Sequence, residues 1–401
     1  MKKILSILFS ALILCALLSG CAKTEAAAAQ SEALYEPAAS SAEEQLFIVI
    51  HTDMDESEGT GQKNAVEGTT AEKENETGTE IFAETEAAVI TEKDREVYSY
   101  ALMESLLKNM TAKYPDLLTL ESLAETADGR NVYCLRAGSG DAPYKVLFTA
   151  SIHAREYITT ELLMKQMSAF FDNVQNGGSY GDIAYRDMLK ECALYFVPMV
   201  NPDGVTISQF GPEALRKESV LAGVKKIADA EGGGSSDYYR SWKSNAEGID
   251  LNRQFDARWE EYNDHVGRPS ADHYKGTAPG STPEAAALIG LTERIGFDRT
   301  VSYHTAGNVI YWYFGQSGEL YEQTKEYAER LSEVTGYPLD ANYEALDPAG
   351  YKDWAICKRG IPSVTIEVGQ GKSPLDHSQL GEICQRNAQV IEETVLSAIG
   401  R

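Results

Sequence analysis

His153 and Glu156 stand three residues apart in His153-Ala154-Arg155-Glu156, a spacing that suits metal ligation. On a helical turn or tight loop, side chains at i and i+3 project in similar directions. An imidazole and a carboxylate so placed can both reach one zinc ion at about 2 Å. His-x-x-Glu is also common by chance, so the pair needs company. His304 is the natural third ligand, because it ends the strand-like run Thr300-Val301-Ser302-Tyr303 and precedes the small residues Thr305-Ala306-Gly307. Taken singly, a strand-end histidine reads first as structural. With the other two it completes a three-ligand site that leaves one position for water or substrate. A water activated by zinc still needs a proton acceptor, and Glu367 offers one. It interrupts the apolar run from Val364 to Val368, where a carboxylate is costly unless it is paired or functional; the bland alternative is a structural ion pair. Asp250-Leu251-Asn252-Arg253 adds a planar two-pronged donor beside an amide, which suits recognition of a carboxylate. His51 lies in the N-terminal acidic segment, His265, His273 and His377 lie in polar stretches, and all four read as surface residues.

These candidates are spread over more than 200 residues, so long-range elements must bring them together. Tyr98 to Tyr114 has apolar positions at helical spacing and stops at Pro115-Asp116. Leu120–Leu123 and Asn131–Leu135 are strand-like runs separated by the turn-forming Asp128-Gly129. Val146 to Ala150 reads as a buried strand, Thr160 to Val174 as a helix and Ala193 to Val200 as a second buried strand. Helices are expected over Pro283 to Ile295, Gly318 to Val334 and Leu380 to Ala398, with strands over Thr300 to His304, Val309 to Phe314 and Ser363 to Val368. The alternation implies an α/β fold: three layers, α/β/α, around a mixed, largely parallel twisted sheet. In such sheets sites lie at the carboxyl ends of strands, where His153, Asn201, His304 and Glu367 all fall.

Residues 1–20 open with Lys2-Lys3, continue through the apolar Ile4 to Leu18 and close on Leu18-Ser19-Gly20-Cys21. The apolar stretch is shorter than the roughly 20 residues a membrane span needs and has the form of an export signal. Leu-Ser-Gly-Cys resembles the bacterial lipobox, which implies that Cys21 is lipidated and anchors an extracytoplasmic protein to the cell membrane. The alternative is an ordinary secretory signal with a chance cysteine. Residues 21–94 are expected to form a largely disordered acidic tether: Ala22 to Lys93 holds 17 acidic residues against four basic ones and few aromatics. Within it, the apolar run Leu46-Phe47-Ile48-Val49-Ile50 stands apart. The tether supplies much of the net charge of -25, which argues against nucleic-acid binding. Residues 95–401 suffice for one large catalytic domain. Cys134, Cys192, Cys357 and Cys384 fit no zinc-finger spacing, and the sequence does not pair them.

The five elements His153-Ala154-Arg155-Glu156, Asn201-Pro202-Asp203-Gly204, Asp250-Leu251-Asn252-Arg253, His304 and Thr365-Ile366-Glu367, in that order, resemble the zinc carboxypeptidase family of the pancreatic type. The resemblance runs from about Tyr98 to the C-terminus. It implies one Zn2+ held by His153, Glu156 and His304, with Glu367 as general base and acid. It also implies that Asn252 and Arg253 grip the substrate's terminal carboxylate and that Arg155 lines the same cleft. Tyr343 matches the mobile tyrosine that covers bound substrate, on a loop, Glu344 to Gly350, that is longer than in the digestive enzymes. Two departures stand out. Trp242-Lys243 replaces a Trp-Arg whose arginine polarises the scissile carbonyl, so Lys243 would offer the oxyanion a point charge instead of a fork. Lys352 falls at the pocket floor, where a cation favours an anionic group. Trp242-Lys243-Ser244-Asn245, Ile310-Tyr311-Trp312 and Tyr351-Lys352-Asp353-Trp354 are similar to the bacterial branch that cuts peptidoglycan stem peptides, the γ-D-glutamyl-diamino acid peptidases. The implied activity is hydrolysis of the γ-D-glutamyl to meso-diaminopimelate bond of muropeptides by a monomeric enzyme. The alternatives are a metallocarboxypeptidase removing acidic C-terminal residues from ordinary peptides, and a non-catalytic peptide-binding lipoprotein.

Overall fold

Strand residues that alternate between two apolar layers set this architecture. The computed structural model describes residues 91, 97–340, 344 and 346–401. Cys21, His51, Leu46–Ile50 and Tyr343 therefore lie outside the described residues. The strands are β1 (Leu118–Glu125), β2 (Asn131–Ala137), β3 (Tyr144–Thr149), β4 (Ser179–Tyr180), β5 (Ile183–Ala184), β6 (Cys192–Val197), β7 (Arg299–His304), β8 (Val309–Tyr311) and β9 (Ser363–Glu367). Seven form one sheet in the order β1-β2-β6-β3-β7-β9-β8, and β4 pairs only with β5. The central β6, β3, β7 and β9 run parallel, while β1, β2 and β8 pair antiparallel at the flanks. A mixed, largely parallel sheet was expected and is found.

Successive strand residues point to opposite faces. Val146 and Phe148 of β3 with Leu194 and Phe196 of β6 join the core under helices Tyr100–Lys113, Ile158–Asn176, Gly318–Thr335 and Val390–Ile399. Leu147 with Ala193, Tyr195 and Val197 joins the opposite core under helices Pro283–Ile295 and Tyr351–Arg359. Strands buried on both faces read as continuous apolar runs, which is why these segments were recognisable. A third, smaller core forms around the fully buried Trp242 and helices Pro202–Phe210 and Glu218–Ala230. No helix among the described residues is long and apolar enough to cross a membrane, and Cys134, Cys192, Cys357 and Cys384 form no disulfide with one another.

Two strands end earlier than their apolar patterns suggest, and one helix is divided. The run to Phe314 stops pairing after Tyr311, because the Gln316 side chain accepts from the Phe314 N–H (2.6 Å) and donates to the Trp312 carbonyl (2.9 Å). The run to Val200 leaves the sheet after Val197. The closing helix is two, Leu380–Arg386 and Val390–Ile399. Between them the Asn387 amide turns back to the Ile383 carbonyl (2.9 Å), and Gln166 donates to Asn387's own carbonyl (2.5 Å), so the helical ladder is interrupted.

Candidate active site

His153 leaves β3 on extended backbone and opens the single turn Ala154–Glu156, which swings His153 and Glu156 towards one point. Hydroxyls fix this turn. Thr159 donates to the Glu156 carbonyl (2.7 Å) and accepts from the Ser151 N–H (3.0 Å), while Thr160 reaches the Pro198 carbonyl beyond β6 (2.5 Å). Asn201 locks the next strand end to the same place. Its amide donates to the carbonyls of Ile152 and Ser244, both at 3.2 Å, and its oxygen caps helix Pro202–Phe210 through the Gly204 N–H (3.0 Å). A Cβ on Gly204 would lie 2.5 Å from the Ser244 carbonyl oxygen, so this corner requires glycine. Asn201-Pro202-Asp203-Gly204 thus positions the metal turn without pointing at a ligand.

His304 arrives from β7, two strands from β6, and sits in register with Glu367 on neighbouring β9. His153 Nδ1 lies 2.8 Å from Glu156 Oε1, His304 Nδ1 lies 3.0 Å from Glu156 Oε2, and the two Nδ1 atoms are 3.2 Å apart. All three side chains are buried. Two imidazole nitrogens facing each other across a carboxylate need a proton or a cation between them. The separations match the edges of a tetrahedron of metal–ligand bonds, about 3.3 Å, and nitrogen and carboxylate donors suit Zn2+. Burial alone would raise the Glu156 carboxyl, but the two imidazoles hold it well below the ordinary range. Burial works against a charged His304, and Glu156, seconded by Glu367, reverses that and raises its pKa.

Around this triad lies a buried charge network that spacing did not reveal. Asp250 is fully buried; its Oδ1 lies 3.3 Å from His153 Nε2, and its Oδ2 accepts from Lys243 Nζ at 2.8 Å. The 3.3 Å contact is long and poorly aligned, leaving His153 Nε2 without a proper hydrogen bond. Lys243 also reaches Asp272 at 3.2 Å, and Asp272 in turn holds Arg155 at 3.0 Å. Burial opposes a charged Lys243, but Asp250 and Asp272 outweigh it and raise its pKa; burial likewise opposes the Asp250 anion, and Lys243 and His153 hold its pKa far down. The main chain joins in, since Ala154 N–H donates to the Lys243 carbonyl at 2.9 Å. An aspartate two residues before Asn252 could have flagged an Asx turn (Asn252 N–H to Asp250 Oδ1 is 3.1 Å), but not contact with His153. Asp272 carried no such signal.

Beside the triad opens a cavity of about 360 Å3 whose walls include Asn252, Arg253, Tyr311, Lys352 and Glu367. Glu367 is partly buried; burial raises its pKa above the ordinary carboxylate value, Glu156 adds to this, and His304 and Lys243 oppose it. Asn252 Oδ1 accepts from the Tyr351 N–H (3.0 Å), which leaves its NH2 group for a ligand. Lys352 does sit in the cavity wall, but not as an open charge. Its Nζ lies 2.5 Å from Asp353 Oδ1 and 3.2 Å from the Tyr313 carbonyl oxygen. Two cations, Arg253 and Lys352, share the lining with four carboxylates, Asp340, Asp347, Asp353 and Glu367. His265, His273 and His377 are exposed, as expected, although His377 contacts Glu161 at 2.9 Å.

Residues 103–390 match the sequence profile of the zinc carboxypeptidase family. Gamma-D-glutamyl-L-diamino acid endopeptidase 1 of Lysinibacillus sphaericus is 33% identical over 293 residues, covering 72% of this chain and 69% of that one. YqgT of Bacillus subtilis (strain 168) is 26% identical over 302 residues, covering 75% and 77%. Among solved structures, bovine thrombin-activatable fibrinolysis inhibitor in complex with tick carboxypeptidase inhibitor superposes with a TM-score of 0.59 at 20% identity over 75% of this chain and 97% of that one, a likeness of fold alone. The order of the motifs, the convergence of His153, Glu156 and His304, and the profile match agree: the chain belongs to the zinc carboxypeptidase family and is a zinc-dependent peptidase.

Proposed function

We propose that this peptidase hydrolyses the bond between γ-D-glutamate and a diamino acid, meso-diaminopimelate, in peptidoglycan stem peptides. The observation that carries the reading is the 33% identity to the Lysinibacillus endopeptidase along 69% of its length. The cavity supports it. A lining of two cations and four carboxylates complements a group bearing an ammonium and a carboxylate together, as the far end of diaminopimelate does, better than a simple acidic side chain. That weighs against the reading as a carboxypeptidase for acidic C-terminal residues. His153, Glu156, His304 and Glu367 are all in place, which weighs against a binding protein with a decayed site.

In this reading His153, Glu156 and His304 hold the zinc. When bound, the ion polarises the scissile carbonyl and brings the pKa of a water towards about 7. Glu367 takes a proton from the attacking water and delivers one to the departing amine of the diamino acid, so the D-glutamyl γ-carboxylate and a free amine are released. Lys243 directs its charge to the carbonyl oxygen. An ammonium has three N–H donors; Asp250 takes one, and Asp272 adds an ion-pair contact at 3.2 Å. Asn252 and Arg253 hold the carboxylate next to the cleaved bond, Lys352 and Arg155 contribute charge to the cleft, and Tyr343 covers the substrate. We place the enzyme outside the cytoplasm, tethered through lipidated Cys21 by residues 21–94, where stem peptides are found, and acting as a monomer.

The test is mass spectrometry of L-alanyl-γ-D-glutamyl-meso-diaminopimelate after incubation with the zinc-loaded protein. Release of diaminopimelate is expected. An intact tripeptide, with glutamate freed from ordinary peptides ending in that residue, would establish the carboxypeptidase reading instead.

A further inference from the structure

Arg253 is the residue to which the proposed function gives the substrate carboxylate, and two of its nitrogens are already engaged. Its Nη1 donates back to the Asn252 carbonyl at 2.9 Å, and its Nη2 is bonded to Asp347 Oδ2. The guanidinium is nearly buried, at 10% side-chain exposure, whereas Asp347 is 69% exposed. Asp347 thus approaches from the solvent side, and both residues line the cavity that also holds Glu367. Among the described residues no second cation pairs with Asp347, and its carboxylate offers Arg253 the same chemical group that a substrate would. Asn252, whose NH2 group is left for a ligand, stands in the same wall.

We propose that Asp347 is a specificity-determining residue that stands in for the substrate carboxylate at Arg253. A substrate with a free carboxylate at this position must displace Asp347 from the fork, and part of its attraction to Arg253 is spent in doing so. A substrate with an uncharged amide there leaves the Arg253–Asp347 pair intact and loses nothing. Asp347 therefore narrows the preference for free over blocked ends that a bare arginine would impose, and lets the enzyme accept stem peptides whose diamino acid is amidated or extended at that carboxyl. The exchange is one ion pair for another, with no bond made or broken.

This inference rests on Arg253 being the carboxylate anchor, and the experiment separates the two. The full-length, zinc-loaded wild type, Asp347→Asn and Arg253→Gln are compared on two tripeptides, L-alanyl-γ-D-glutamyl-meso-diaminopimelate and its analogue amidated at the carboxyl next to the cleaved bond. KM is measured for each, or the calorimetric Kd where turnover is absent. Because Asp347 is mostly exposed, its pair with Arg253 is screened, and an effect of about two- to fivefold is expected. Asp347→Asn should tighten the acid about two- to fivefold relative to the amide. Equal changes for acid and amide, or no change in either, overturn the role of Asp347. Arg253→Gln should bring acid and amide to the same KM. If that variant keeps the wild-type ratio, the anchor assignment fails, and the role of Asp347 with it.

Discussion

Asp250→Asn is the most informative single substitution, because one buried carboxylate serves the metal turn, the cation and the substrate turn together. It lies 3.3 Å from His153 Nε2, binds Lys243 Nζ at 2.8 Å and accepts from the Asn252 N–H at 3.1 Å. A His153 that held zinc through Nδ1 would carry its proton on Nε2, where the Asp250 carboxylate 3.3 Å away would favour that tautomer by its charge. Loss of such a partner typically weakens metal binding 10- to 100-fold, or about 1.4–2.8 kcal/mol. Asparagine keeps the shape and can cap the turn, so the loss should fall on the charge-dependent contacts. Lys243 is left with Asp272 alone, and a buried cation short of its partner costs up to about 3–5 kcal/mol of stability. The assay is zinc affinity by competition with a calibrated chelator, alongside circular dichroism to confirm folding. Asp272→Asn is the control, since it loosens Lys243 without touching His153 and should leave zinc affinity near wild type. Wild-type zinc affinity in Asp250→Asn, or equal losses in both variants, would refute the positioning role.

Glu367→Gln should retain one zinc per chain by atomic spectroscopy and lose turnover by at least about 100-fold, whereas His153→Ala should lose both; zinc loss in the glutamine variant contradicts the assigned roles. Glu284, fully buried near Asn245, has its carboxyl pushed up to about 8, chiefly by burial with Asp203 and Glu247 adding to it. The folded state thus keeps a proton that the unfolded chain releases near pH 4.5. Its contribution is fully present below about pH 4.5 and is lost as pH rises through about 8. Tm measured from pH 5 to 9 should fall more steeply in wild type than in Glu284→Gln, and parallel curves would count against this. Arg130 bridges buried Asp128 and Asp203, the latter at 3.0 Å. Arg130→Ala leaves two buried carboxylates without their cation and should lower stability by about 3–5 kcal/mol in denaturant titration; a loss under 1 kcal/mol would show that the network is solvated.

The central sheet was legible because strands buried on both faces are written as unbroken apolar runs, as in Val146 to Thr149 and Ala193 to Val197. The ends of elements were less so. Gln316 and Asn387 stop a strand and a helix with side-chain hydrogen bonds that no periodicity records. The convergence of His153, Glu156 and His304 was legible in advance because their chemistry fits strand ends and their order is distinctive; Glu367 lies in register with His304, on the neighbouring strand. Asp250 and Asp272 were missed as partners, since only the folded chain brings the loops around Ala154, Lys243 and Ala271 together. Lys352 shows the converse. A cation in the sequence reads as an open charge until the fold places Asp353 against it.

The account stands most directly on the products formed from L-alanyl-γ-D-glutamyl-meso-diaminopimelate. Mass spectrometry with the zinc-loaded protein should show L-alanyl-D-glutamate and diaminopimelate, together heavier than the tripeptide by one water, and neither should form with Glu367→Gln. An unchanged tripeptide under conditions where the same sample trims ordinary peptides, or cleavage that survives Glu367→Gln, would contradict it.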